Sequence, residues 1–144
     1  MTEAEEYLVD WPAFFATRQE LGADFIRILG YFREDGTKSV AAIEAAMRAR
    51  DAAGLVLPAH TLKGEARQFG AEPLSDIAEA IETIARRCVE THEDPGEVIE
   101  HVVKLRPMFE ATLAAFEREC NPLVERKPGF GRKVEANNQG FGRI

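Results

Sequence analysis

Near its middle the chain reads Ala59-His60-Thr61-Leu62-Lys63-Gly64-Glu65-Ala66-Arg67-Gln68-Phe69-Gly70. Apolar residues recur here three and four positions apart, which is the pattern of a helix that buries one side. The expected buried stripe comprises Leu55, Ala59, Leu62, Ala66 and Phe69. Gly70 follows the stripe, where a glycine often ends a helix. The pattern predicts a helix from about Ala53 to Phe69, with Pro58 causing a kink or a late start.

The opposite face of this helix carries an imidazole, a cation and bare backbone. At about 100° per residue, His60, Gly64 and Arg67 lie near its middle and Lys63 lies at its border. Glycine inside a helix costs about 1 kcal/mol relative to alanine, so Gly64 needs another reason to be there. The combination fits a histidine that takes a phosphoryl group from a partner docking flat against the helix.

Helical periodicity extends over almost all of the chain up to Cys120. Asp10-Trp11-Pro12 is typical of a helix start, and we expect a short helix from there to about Glu20. A second helix should end at Asp35-Gly36-Thr37. Thr37 or Ser39 can then cap a separate third helix.

Two long helices complete the pattern. Glu72-Pro73 opens one that ends around Thr91, and Asp94-Pro95 opens the other, which Pro107 should bend or divide. No segment alternates with a period of two, so no sheet is predicted. Short connections between amphipathic helices predict an all-α fold, an antiparallel four-helix bundle with an extra short N-terminal helix and an irregular C-terminal tail.

Composition limits the classes of function. The chain has 144 residues, a formal net charge of −7 and a pI near 5.1, which argues against nucleic acid and anionic membrane surfaces as partners. It has no apolar run of transmembrane length and no signal-peptide layout at its start, so we expect it in the cytoplasm. Cys88 and Cys120 are expected as reduced thiols there.

The predicted domain organisation is a helical bundle over residues 1–120 and a Gly/Asn-rich basic tail over residues 121–144. The tail carries five Lys or Arg against two Glu, and Gly129-Phe130-Gly131-Arg132 recurs as Gly140-Phe141-Gly142-Arg143. Composition favours a flexible extension. The alternative is a linear motif that binds a partner or folds back on the bundle.

His60-x-Leu62-Lys63-Gly64, followed by Gly70, resembles the signature of histidine-containing phosphotransfer (HPt) domains over roughly residues 20 to 120. The resemblance implies a four-helix bundle that relays phosphoryl groups between receiver-domain aspartates in multistep two-component signalling. By the same resemblance His60 is the phosphoacceptor, Lys63 helps to hold the phosphoryl oxygens and Gly64 lets the receiver approach. Many members place a Gln on the next helix to hydrogen-bond the histidine, and the aligned residue here is Glu82.

The implied partners are response-regulator receiver domains and a hybrid or upstream sensor histidine kinase, with the chain acting as a monomer. The expected docking surface comprises Val56, Leu57, Gly64, Arg67, Glu79, Glu82 and Arg86. No cofactor is expected, because the Mg²⁺ that phosphoryl transfer needs would come with the receiver. No metal site is expected either, since His92 and His101 are too far apart for one helix face.

Two other functions stay open. A non-catalytic adaptor would use the same bundle to bind receivers without transfer, and an enzyme such as a phosphohistidine-dependent phosphatase would need further groups for hydrolysis. The sequence has no Gly-rich phosphate loop, no Ser-His-Asp spacing and no kinase ATP site. We therefore predict a phosphocarrier that does not phosphorylate itself from ATP, rather than an enzyme.

Overall fold

The computed structural model describes residues 3–120, and within this range the chain is helical apart from short turns and contains no strand. The predicted tail, residues 121–144, lies outside the described residues. The six α-helices are α1 (Glu3–Leu8), α2 (Trp11–Leu21), α3 (Phe25–Arg48), α4 (Ala52–Gln68), α5 (Glu72–Thr91) and α6 (Ile99–Cys120). Short 3₁₀ turns at Gly22–Asp24 and Pro95–Val98 precede α3 and α6.

Helices α3 to α6 form the predicted four-helix bundle. Helix α4 packs against α3 and α5, and α6 closes the bundle by packing against α5 and α3. Helix α1 lies against α5 and α6, while α2 contacts α3. One end of the core is a cluster of aromatic rings, in which Phe14 stacks on Phe116 with centroids 4.9 Å apart. Within residues 3–120, no helix is long and apolar enough to cross a bilayer.

Helix α3 runs unbroken from Phe25 to Arg48, so the predicted helix end at Asp35-Gly36-Thr37 is wrong. A Cβ on Gly36 would lie 2.4 Å from Cε1 of Phe109, so this glycine allows α6 to approach α3 closely. The Thr37 hydroxyl donates to the Arg33 carbonyl at 2.7 Å, the i−4 bond of a helix interior. The three residues thus lie mid-helix, and none of them caps a helix.

Helix α4, which carries His60, is fixed at both ends. Asp51 caps its start by accepting a hydrogen bond from the Gly54 N–H at 3.0 Å, and Pro58 does not interrupt it. Gly70 has a φ of +79°, and its carbonyl accepts from the Asp10 N–H at 2.8 Å. Because a Cβ there would lie 2.7 Å from the Asp10 carbonyl oxygen, glycine both ends α4 and docks the start of α2.

The last helix begins as predicted near Asp94, whose side chain accepts from the Gly96 N–H at 2.9 Å. The first residues, Pro95–Val98, form a 3₁₀ turn before α6 proper. Pro107 lies inside α6 without dividing it, so the helix remains continuous to Cys120.

Candidate functional site

The two faces of α4 lie as the sequence predicts. The stripe of Leu55, Ala59, Leu62, Ala66 and Phe69 is buried. On the other face the His60 side chain is 55% exposed, and the Lys63 side chain, one turn on, is 19% exposed. A Cβ on Gly64 would have no neighbour within 4 Å, so this glycine leaves open space beside the histidine.

Glu82 on α5 lies beneath His60 and is only 5% exposed. Its Oε2 lies 3.0 Å from His60 Nδ1, and the same oxygen accepts from Arg86 Nε at 2.9 Å and from a terminal guanidinium nitrogen of Arg86 at 2.8 Å. Its other oxygen, Oε1, lies 2.7 Å from Lys63 Nζ. Three side chains from two helices therefore meet on one carboxylate.

The charge state of Glu82 follows from these contacts. Burial alone would raise the pKa of its carboxyl, but the ion pair with Lys63 and the contacts from Arg86 and His60 outweigh burial and lower that pKa from 4.5 to about 2. At neutral pH the carboxylate is ionised and can only accept hydrogen bonds. His60 Nδ1 must therefore carry a proton, and in a neutral ring Nε2 is the nitrogen with a free lone pair.

The other residues predicted for docking lie around this centre. Leu57 is 70% exposed on the same face of α4, and Val56 is half-buried beside it. Arg67 approaches the carboxylate of Glu79 on α5 at 3.7 Å, with both side chains about half exposed. We call Val56, Leu57, Gly64, Arg67 and Glu79 the docking face.

The structure changes the prediction for two residues of the expected docking surface, Glu82 and Arg86. Glu82 is not on the surface, because it points between α4 and α5 and is covered by His60, Lys63 and Arg86. Arg86 is 57% exposed, but its guanidinium is turned onto Glu82. The periodicity of α5 correctly placed both residues off the core stripe. It could not show that side chains of α4 cover Glu82 in the folded bundle.

Sequence reasoning missed a pair of acidic residues between α3 and α4. Burial, the charge of Asp35 and a hydrogen bond with that residue raise the pKa of Glu65 to about 7. Its Oε1 is buried without a hydrogen-bond partner. The sequence did not predict this pair, because a helix ending at Asp35 would leave no α3 surface to face Glu65.

The remaining histidines and cysteines lie away from this centre. His92 has a φ of 57° and ends α5, its N–H donating to the Cys88 carbonyl. Cys88 is buried, Cys120 is half-buried, and neither forms a disulfide with the other. Among residues 3–120, no group of three or more His, Cys, Asp or Glu side chains could hold a metal ion.

Residues 27–119 match the Hpt domain family, which covers most of the four-helix bundle. The chain belongs to the Hpt domain family. Histidine phosphotransfer in a phosphorelay is therefore its function. As a phosphocarrier it has a non-enzymatic role, with receiver domains and kinases as the partners that the family implies.

A solved structure agrees with this fold. The chain is similar to histidine-containing phosphotransfer protein B (HptB) from Pseudomonas aeruginosa, with a TM-score of 0.69 and 21% identity. The match covers 78% of this chain and 93% of that one. No curated protein sequence matches the chain. Helices α1 and α2 precede the residues that match the family model.

Proposed function

We propose that His60 is the phosphoacceptor of this Hpt protein and that its Nε2 is the reacting atom. The observation that carries this assignment is the hydrogen bond between Nδ1 and the ionised Glu82. It fixes the proton on Nδ1 and leaves the lone pair on Nε2, on a side chain that is more than half exposed.

Transfer to His60 exchanges a P–O bond for a P–N bond. Nε2 attacks the phosphorus of a receiver's aspartyl phosphate, the P–O bond to the aspartate breaks, and the aspartate leaves as a carboxylate. The new N–P bond makes the ring an imidazolium, since Nδ1 keeps its proton. The Glu82 carboxylate lies 3.0 Å from that nitrogen and stabilises the positive charge that develops on the ring.

Two neighbours on α4 serve the phosphoryl group itself. Lys63 supplies the cation that offsets charge on the phosphoryl oxygens during transfer, and it lies one turn from His60 on the same side of the helix. Gly64 gives the receiver room to bring its aspartate to Nε2, because no side chain fills that space. The Mg²⁺ for the reaction comes with the receiver.

The receiver binds the docking face, where exposed Leu57 lies one turn before His60 and the charged pair of Arg67 and Glu79 lies about two turns after it. A face that offers both apolar and charged side chains has the mixed composition of a transient interface. We further propose that the protein acts as a monomer in the cytoplasm, binds neither nucleic acid nor membrane, and obtains its phosphoryl group from a partner because it has no ATP site of its own.

A transfer assay tests this function. A receiver labelled on its aspartate should pass the label to the wild-type chain and to His101→Gln, but not to His60→Gln. The Gln side chain can still donate a hydrogen bond towards Glu82, so the variant should remain folded, which circular dichroism can verify. Full labelling of folded His60→Gln would reject the assignment. Binding of the receiver without any transfer to the wild type would favour the adaptor function.

A further inference from the structure

Glu82 binds two cations that are attached to the site in different ways. Lys63 belongs to α4 and lies three residues after His60, with a flexible stem and a single ammonium on Oε1. Arg86 belongs to α5, one turn after Glu82 itself, and places two nitrogens of its planar guanidinium on Oε2. The oxygen that Arg86 holds is the one that faces His60 Nδ1.

The position of each cation on its helix, and the number of its contacts with the carboxylate, indicate which one can leave Glu82. Lys63 shares its helix face with His60, so rotation of its side chain brings the ammonium towards a group on the His60 ring. Arg86 is held at the carboxylate by the i, i+4 geometry of α5 and by two hydrogen bonds to a single oxygen. Although Arg86 is the more exposed of the two, its two contacts with one oxygen hold it at Glu82 more firmly than the single contact holds Lys63.

The net charge of the cluster is consistent with separate roles for Lys63 and Arg86. When the His60 ring is neutral, one carboxylate and two cations leave one positive charge in excess. Phosphorylation adds a phosphoryl group of about two negative charges and turns the ring into a cation. The cluster of His60, Glu82, Lys63 and Arg86 then becomes neutral overall, and both cations are required for that balance.

We propose that Arg86 is a positioning residue that keeps the Glu82 carboxylate against His60 Nδ1 when Lys63 turns to the phosphoryl group. Without Arg86 and with Lys63 turned away, only the ring itself would hold the buried carboxylate close to a phosphoryl dianion, and the carboxylate would leave Nδ1 more often. Because this role presupposes a phosphorylated His60, it rests on the proposed function. Arg86 itself does not touch the phosphoryl group and acts through Glu82.

The role is specific to the phosphorylated state, which makes it distinguishable from simple structural support. In the resting protein Lys63 still holds Glu82, so Arg86→Gln should keep the hydrogen bond from Nδ1 to Glu82. After phosphorylation the variant should lose that bond. Arg86→Lys restores the charge and should retain it, and Arg87→Gln is the matched control because Arg87 is the adjacent exposed arginine of α5 and pairs with Glu97.

The experiment uses the full chain and phosphoramidate as phosphodonor, whose P–N bond breaks as ammonia leaves and a new N–P bond forms at Nε2. No receiver is needed, so the result does not depend on docking. Nitrogen-15 NMR then measures exchange of the Nδ1 proton with solvent before and after phosphorylation. We expect exchange in phosphorylated Arg86→Gln to be at least about tenfold faster than in wild type, Arg86→Lys and Arg87→Gln, with no such difference before phosphorylation.

Three results would overturn the role of Arg86. One is slow exchange of the Nδ1 proton in phosphorylated Arg86→Gln. Another is exchange that is as fast in the resting Arg86→Gln variant as in the phosphorylated one, which would make Arg86 a support in both states. The third is loss of protection after phosphorylation in Lys63→Gln but not in Arg86→Gln, which would exchange the roles of the two cations. Failure of the receiver to transfer to the wild type, in the separate assay above, would count against the proposed function alone.

Discussion

Glu82 Oε2 and His60 Nδ1 lie 3.0 Å apart, and this contact joins the outer face of α4 to the buried side of α5. A hydrogen-bonded neutral amide at this position would orient the ring, but an ionised carboxylate also balances the positive charge that the ring gains on phosphorylation. The chain therefore uses charge as well as geometry to support its phosphohistidine.

Replacing Glu82 with glutamine separates these two contributions. Glu82→Gln keeps a hydrogen-bond acceptor for Nδ1 and loses the negative charge, so the variant should still accept phosphate. Its equilibrium constant for phosphorylation should fall about tenfold, the lower end of what a hydrogen bond to a charged group contributes. Titration with a phosphorylated receiver measures this constant. An unchanged constant would show that the charge of Glu82 is not used.

Gly64 should be required for access and not for folding. Gly64→Gln places a long side chain in open space beside His60, and it should leave helix content unchanged or slightly higher. Transfer from a receiver should be slowed by steric exclusion, whereas phosphorylation by phosphoramidate should continue. If both reactions slowed equally, or if circular dichroism showed unfolding, exclusion of the receiver would not be the cause.

The Glu65–Asp35 pair should make stability depend on pH. The folded-state pKa of Glu65 is raised to about 7, so its stabilising contribution is present below about pH 4.5, the ordinary carboxyl value, and declines as pH rises through 7. Glu65→Gln removes this decline. The variant should gain about 1–2 kcal/mol over wild type at pH 8, discounted for partial exposure, and little at pH 5.

Denaturant unfolding at both pH values measures this difference. Glu90→Gln, on the exposed surface of α5, is the control and should show no comparable gain at pH 8. A gain of equal size at both pH values would rule out titration of Glu65 as its origin.

Gly36 and Gly30, both inside α3, should respond oppositely to alanine. The new methyl group at position 36 would lie 2.4 Å from Phe109, and overpacking of this kind destabilises by about 1–3 kcal/mol. At position 30 it would meet nothing within 4 Å, so Gly30→Ala should stabilise the helix by up to about 1 kcal/mol. Thermal unfolding of the two variants compares them, and equal effects would contradict the packing explanation.

Local sequence signals predicted most of the helices and the exposure of His60. The stripe from Leu55 to Phe69, the Gly70 end of α4 and the Pro73 start of α5 all depend on neighbours within a few residues. The Asp51 cap of α4 was not predicted. The resemblance around His60 and Lys63 predicted the family correctly.

The errors came from contacts between distant segments. Gly36 is typical of a helix end when only its neighbours are considered, and it lies in a continuous helix because Phe109 packs against it. Glu82 resembles an exposed residue of α5, and it is buried because Lys63 and His60 of α4 close over it. The ionised carboxylate at the centre of the site is therefore a property of the packed bundle.

The most direct measurement of the central claim is the position of the phosphoryl group in the chain after transfer from a receiver. Two-dimensional NMR with nitrogen-15 and phosphorus-31 detects the coupling between phosphorus and the ring nitrogen that bears it. We expect coupling to Nε2 of His60, with a proton remaining on Nδ1. Phosphorus on Nδ1 of His60, or on any other residue, would contradict it.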